Sequence, residues 1–274
     1  MRTQFNYFAP ATLSAAHELL DEHGESAEIL AGGTDLLVDI RNDEKQPDAV
    51  IDIKNIEELN GVKFDSDDGL IINAAATCTE VSGHSTVRER YPFIVEATAE
   101  LASHQVRNRA TVVGNICNAS PCADAARPLL CLDASLEISS IGGNRTLPLK
   151  DFITGVKKND LAPNELVERV RVPAEMADAR GGNRKLKRIK GHDLSLASVT
   201  MIKTDAETRV SICACSPIPV VLSDFDASAD ADELCRAAEE AISPIDNVRS
   251  TAEYRNFMIK QYIRELNQEL GVSI

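Results

Sequence analysis

The stretch Gln105–Asp124, QVRNRATVVGNICNASPCAD, decides how the rest of the chain is read. It opens with a basic, polar turn, Arg107-Asn108-Arg109, and runs into Thr111-Val112-Val113. β-Branched residues favour strands, so this run reads as a short apolar strand. Gly114-Asn115 follows, a dipeptide that readily takes positive φ. A strand ending there turns sharply and presents bare N–H groups, a nest suited to an anion such as phosphate. Asp124 stands just beyond, as an acceptor for sugar hydroxyls. From this stretch alone, an ordinary strand–turn–helix connection without a ligand fits equally well.

Glu28–Leu37, EILAGGTDLL, repeats the design. Ile29, Leu30 and Ala31 are apolar; Gly32-Gly33 turns the chain; Thr34-Asp35 offers an N-cap to the helix-like run that follows. Two glycine turns suggest two nests on one extended ligand, and a dinucleotide has that shape. No GxGxxG opens a helix and no GxxxxGK[ST] occurs, so the Rossmann and Walker-A signatures are both missing.

Taken with TAEYR at 251–255, these two stretches resemble the FAD-binding (medium) subunits of molybdenum hydroxylases, the group that includes xanthine, CO and nicotinate dehydrogenases. The resemblance covers nearly the whole chain, and the order and spacing of the motifs agree. The family usually has Gly-Gly-Asn where this chain has Val113-Gly114-Asn115, and often Gly at Ala110. The resemblance implies an α/β (α+β) fold. A two-lobed FAD-binding domain of the p-cresol methylhydroxylase type would occupy 1–172, with lobes of about 1–55 and 56–172. A C-terminal α/β domain would occupy 173–274. It also implies FAD as cofactor, held by Leu30, Ala31, Gly32, Gly33, Thr34 and Asp35 on one side. Thr111, Gly114, Asn115, Ser120 and Asp124 would hold it on the other. In the family a lysine eight residues before an Asp-[IL] pair sits near the flavin; Lys185 matches, with Asp193-Leu194 as the pair. The implied partners are a 2Fe–2S iron–sulfur subunit and a molybdopterin subunit in a hetero-oligomer, with NAD or another acceptor taking the electrons.

Composition narrows the alternatives. The 274 residues suffice for a large core, and 43% of them are hydrophobic. With 29 basic against 43 acidic residues the net charge is −14, which argues against nucleic acid and anionic membranes as partners. No run approaches the ~18 apolar residues that cross a bilayer, and the start lacks a signal peptide's apolar core; the expected location is the cytoplasm. Seven cysteines, an odd number without a CxxC, support neither a disulfide framework nor a metal site. Cys213 and Cys215 read as alternating buried thiols on a strand, and Cys117 and Cys122 as packing residues.

In chain order, residues 1–9 read as extended and Pro10–His23 as a helix with Leu13, Ala16, Leu19 and Leu20 on one face. Glu28–Ala31 and Ala49–Ile53 read as strands around a helix at Asp35–Asn42, a small parallel unit. Strands at 62–64 and 70–73, helices at 78–82, 92–102 and 125–134, and strands at 136–139, 145–147 and 165–172 follow. Residues 174–182 read as a linker. Asn183–His192 carries five basic residues within seven positions, and reads either as a lysine-guarded edge strand or as a surface for the cofactor or an acidic partner. Strands at 196–203 and 209–215 and helices at 231–241 and 248–270 complete the chain. No catalytic acid–base pair is evident. A self-contained flavin oxidase and a flavin-free scaffold subunit are the competing classes; a bound flavin argues against the second, and turnover by the lone chain supports the first.

Overall fold

The computed structural model describes residues 4–271, so residues 1–3 of the expected extended start lie outside the described residues. The first lobe is built on three parallel strands. β1 (Asn6–Phe8) and β2 (Ala27–Leu30) both pair with β3 (Ala49–Asp52), in the order β1-β3-β2. Helix α1 (Leu13–His23) joins β1 to β2, and α2 (Leu36–Arg41) joins β2 to β3. Thr12 Oγ1 caps α1 by accepting from the Ala15 N–H at 3.3 Å, and Gly24, at φ +50°, ends it. Ala16 and Leu20 are buried, as their spacing requires.

The second lobe begins with the hairpin β4 (Val62–Asp65) and β5 (Gly69–Asn73). A helical stretch follows: α3 (Cys78–Gly83), α4 (Ser85–Arg90), α5 (Pro92–Ala99), α6 (His104–Arg107), α7 (Val112–Cys117) and α8 (Ala126–Cys131). Thr77 and Glu80 form a capping box on α3, at 3.1 and 2.7 Å. Strands β6 (Ser135–Ser140) and β7 (Gly143–Pro148) come next, then the short helix α9 (Leu149–Phe152), the ribbon β8 (Ile153–Gly155) and β9 (Lys158–Asn159), and β10 (Leu166–Val172). The five long strands make an antiparallel sheet ordered β4-β5-β10-β6-β7. One core runs through both lobes: Ile51 and Ile53 share it with Leu70, Ile72, Val112 and Val170. Each such side chain contributes about 1.5–3 kcal/mol on burial.

The third part is an antiparallel meander, β11 (Arg180–Leu186), β12 (Ala197–Lys203), β13 (Glu207–Cys213) and β14 (Val220–Asp226), followed by α10 (Ala231–Ala241) and α11 (Ala252–Gly271). Every residue of β12 is buried, because α8 covers one face of the sheet and α11 the other. Ile259, Ile263 and Leu266 are the buried stripe of α11. Arg255, 1% exposed, ends the TAEYR motif as a clamp: its guanidinium donates to the carbonyls of Leu196 and Ala214 and to Asn247 Oδ1.

Four local expectations are corrected. Thr111-Val112-Val113 is the start of helix α7. Thr111 is its N-cap, accepting from the Gly114 N–H at 3.0 Å, so a capping hydroxyl overrides β-propensity. The stretch read as a linker already contains Arg180-Gly181-Gly182 of β11, whose glycines lie where α5 and α11 press on the sheet. Strand β14 had no expected counterpart; of its residues only Leu222 is buried, so it carries no apolar alternation. Cys213 ends its strand, and Ala214, at φ +66°, breaks the expected alternation, although both flanking thiols are buried.

Candidate functional site

A cleft of about 790 Å³ runs along the junction of the three parts. One wall is the turn after β2. Gly33 sits at φ +71°, and a Cβ on Gly32 would meet the Arg109 carbonyl oxygen at 2.3 Å and the Ala110 Cα at 2.8 Å. The two sequence motifs therefore touch backbone to backbone, and only glycine permits that approach. Among the described residues, no backbone or side-chain acceptor takes up the N–H groups of Gly32, Gly33, Thr34 or Asp35. These donors border the cleft, where an anionic group would satisfy them. Asp35 occupies the N-cap position of α2 without a side-chain bond to it, so its carboxylate is not spent on the cap as expected.

Lys54 braces this turn from behind. Its ammonium donates to the Ala31 carbonyl at 3.1 Å and pairs with Asp52 at 2.6 Å; the Tyr7 hydroxyl donates to the other Asp52 oxygen at 2.6 Å. Burial pushes the Asp52 carboxyl up, but hydrogen bonds from Lys54 and Tyr7 and the lysine's charge hold it below the ordinary range. Lys54→Met leaves Asp52 buried without its cation, held only by the Tyr7 hydroxyl and the backbone N–H of residue 54. It is expected to cost about 1–3 kcal/mol in urea denaturation, with Lys54→Arg recovering most of the loss.

The second motif forms the opposite wall in a way the sequence did not announce. Neither Gly114 nor Asn115 has positive φ. The Gly114 N–H goes to Thr111 Oγ1 and the Asn115 N–H to the Thr111 carbonyl, so the expected second nest of bare N–H groups is taken up inside α7. What this motif offers is side chains and close packing. Asn115 Oδ1 accepts from the Ala125 N–H at 3.1 Å and ties α7 to the segment that carries Asp124. Ser120 Oγ accepts from the Cys122 N–H at 3.2 Å. Burial pushes the Cys117 thiol up to about 12, so it stays protonated and works as a packing group.

Of the expected cofactor residues, Ala31, Gly32, Gly33, Thr34, Asp35, Thr111, Gly114, Asn115, Ser120 and Asp124 border the cleft. Leu30 does not; its side chain packs on Ile40 and Val50 behind the first sheet. Nor does Lys185. Its side chain is 1% exposed, and its ammonium lies 2.7 Å from Asp124 Oδ2 and 3.1 Å from the Glu100 carbonyl. Lys185, expected near the flavin, stands behind Asp124 in this structure. Its position on β11, paired with Ser198 of the fully buried β12, puts it there. Burial pushes the Asp124 carboxyl above the ordinary range, while Arg127 and Lys185 pull against it.

Several lining residues were not foreseen. Leu101, Ala102 and Val106 come from the segment around α6, and Glu165, Leu166 and Val167 from the start of β10. His192, Asp193 and Leu194 bring the loop after β11 to the mouth. Arg188 pairs with Asp193 at 3.1 Å and holds its carboxyl down at about 2. Arg127, wholly buried, pairs with Asp124 at 3.3 Å; a lone arginine in the apolar run 125–134 was the available signal for it.

A glycine turn with unspent donors facing a capped helix across a cleft, closed by a loop from a third sheet, defines a two-lobed dinucleotide-binding protein. The profile of the family described as "FAD binding domain in molybdopterin dehydrogenase" matches residues 3–175. The xanthine dehydrogenase FAD-binding subunit of Escherichia coli O157:H7 is 30% identical over 96% of this chain and 95% of its own length. The carbon monoxide dehydrogenase medium chain of Hydrogenophaga pseudoflava is 28% identical over 95% of both chains. A solved structure of that organism's carbon monoxide dehydrogenase, lacking the Mo-pyranopterin moiety, superposes with a TM-score of 0.90 at 27% identity, covering 98% of this chain and 97% of the other. The chain belongs to the FAD-binding family of molybdopterin dehydrogenases, and it is an FAD-binding oxidoreductase subunit.

Proposed function

We propose that this chain is the flavin-carrying electron-transfer subunit of a molybdenum-containing dehydrogenase of the cytoplasm. It takes electrons from the 2Fe–2S clusters of a partner subunit and passes them to NAD or another acceptor. The observation that carries the reading is the contact of Gly32 with Arg109 and Ala110, which joins the two motifs along one cleft of about 790 Å³. Bound FAD supplies the chemistry, because a flavin accepts electrons singly and releases them in pairs as hydride. The chain's own residues bind and orient. The N–H groups of 32–35 suit the pyrophosphate, Asp124 suits a sugar or ribityl hydroxyl, and Leu101, Ala102 and Val106 offer apolar surface. Pro163 and Leu194 add apolar wall at other points of the cleft. On this reading the flavin domain ends at about residue 172 and the C-terminal domain follows.

The partners follow from this division of labour. The reading assigns the clusters and the molybdenum to other chains; among the described residues no group of three or more His, Cys, Asp or Glu side chains is placed to hold a metal. Among the same residues no helix is long and apolar enough to cross a membrane. The purified chain is expected to carry FAD, visible in its absorption spectrum, and to support slow NADH-to-dye transfer at most. Adding an iron–sulfur subunit and a molybdopterin subunit is expected to restore electron flow from organic substrate to acceptor. Steady turnover of an organic substrate by the chain alone would overturn the reading in favour of a self-contained oxidase.

A further inference from the structure

Asp124 meets the cleft with its carboxylate gripped from behind at both oxygens. Lys185 Nζ lies 2.7 Å from Oδ2 and Arg127 Nη2 3.3 Å from Oδ1. Arg127 is 0% exposed. Its Nη1 donates to the Arg184 carbonyl at 3.1 Å, one residue before Lys185, and its own carbonyl accepts from Ser211 Oγ of β13 at 2.7 Å. Arg184 in turn pairs with Glu265 and Glu269 of α11. One arginine thus links the cleft wall at α8 to two strands of the C-terminal sheet, and both cations that hold Asp124 are set by it: its own, and that of Lys185 through the backbone of β11.

A carboxylate accepts hydrogen bonds through about four lone-pair directions. With one cation on each oxygen, Asp124 keeps its remaining acceptor capacity for the cleft and cannot swing to other partners. The cluster of Arg127, Lys185 and Asp124 also carries one positive charge in excess, buried directly behind the wall. Hydrogen bonds and ion pairs in such a dry network reinforce one another, so its members act as a unit. We propose that Arg127 is a positioning residue: it fixes the ionised Asp124 as the acceptor for a hydroxyl of the bound dinucleotide, and its charge favours the reduced, more anionic cofactor. This rests on the reading that FAD occupies the cleft.

The test measures FAD affinity of the apo chain by flavin fluorescence, and the flavin midpoint potential of the holo chain. The variants are Arg127→Gln, Arg127→Lys, Asp124→Asn and the Arg127→Gln/Asp124→Asn pair. Arg127→Gln is expected to weaken FAD binding about tenfold or more and to shift the potential negative. Arg127→Lys, keeping the charge, restores most of both. In the Asp124→Asn background the further loss from Arg127→Gln shrinks to about threefold or less, because groups that act through one another are not additive. Arg127→Met repeats the measurement if the glutamine variant does not fold. Failure of both to fold would overturn the proposal, since the residue would then serve the fold and not the ligand. So would full additivity with Asp124→Asn, or an unchanged potential with unchanged affinity. If the unaltered chain binds no flavin at all, the reading of the cleft fails first. If it binds flavin and Asp124→Asn alone weakens it, only the role of Arg127 fails.

Discussion

Gly32→Ala is expected to strip the chain of flavin while leaving most of its secondary structure in place. The added Cβ would lie 2.3 Å from the Arg109 carbonyl oxygen and 2.9 Å from its carbon, both backbone atoms that no side-chain rotation can move away. The two loops must part. Overpacking of this kind costs about 1–3 kcal/mol, and the loops that part carry Gly32 and Ala110, both of which line the cleft. Free energy of that size, spent on the bound geometry, corresponds to a roughly 5- to 150-fold loss of affinity. Titration of the apo variant with FAD, followed by fluorescence quenching, measures it directly. An affinity within threefold of the unaltered chain, with circular dichroism unchanged, would show that the cleft does not depend on this contact. Gly33→Ala has a different cause: at φ +71° it strains the backbone, and its Cβ meets only the flexible side chains of Leu30 and Leu37. Its effect is expected to be smaller.

Lys185→Met should be the most destabilising single change near the cleft. The ammonium is buried at 1% exposure, and its removal leaves Asp124, itself only 8% exposed, with Arg127 alone. Breaking a buried ion pair from one side costs about 3–5 kcal/mol. The pH dependence has a definite sign. Burial already sets the Asp124 carboxyl above its ordinary range, and losing the lysine raises it further. A carboxyl whose folded pKa exceeds its unfolded one binds more protons in the folded state, so its contribution to stability falls as pH rises through the folded value. The deficit of Lys185→Met should therefore be larger at about pH 8 than at about pH 5 in urea denaturation, relative to the unaltered chain. A deficit that does not change with pH would place the cost in lost packing of the lysine stem.

The chain's sequence by itself determined the elements with strong local signals. Thr12 and Gly24 bound α1, the Thr77–Glu80 box starts α3, and the apolar runs 49–53 and 70–73 are strands. AGGTD was legible as a turn because its glycines are needed for conformational reasons that hold in any fold. The family, and with it FAD, was legible from three motifs in the right order. The tertiary structure alone decided the rest. Whether Thr111-Val112-Val113 is strand or helix depended on a single hydroxyl accepting from Gly114 and on the packing of α7 against β5 and β10, both distant in the chain. Lys185 matched its motif position, yet whether it faces the cofactor or Asp124 depends on which side of β11 the sheet turns inward. That is fixed by the register with β12, set by residues far along the chain. The same holds for Arg127 and Lys54. A buried or half-buried cation does not announce its partners locally, because they are a carboxylate and carbonyls that long-range packing brings within 3.5 Å.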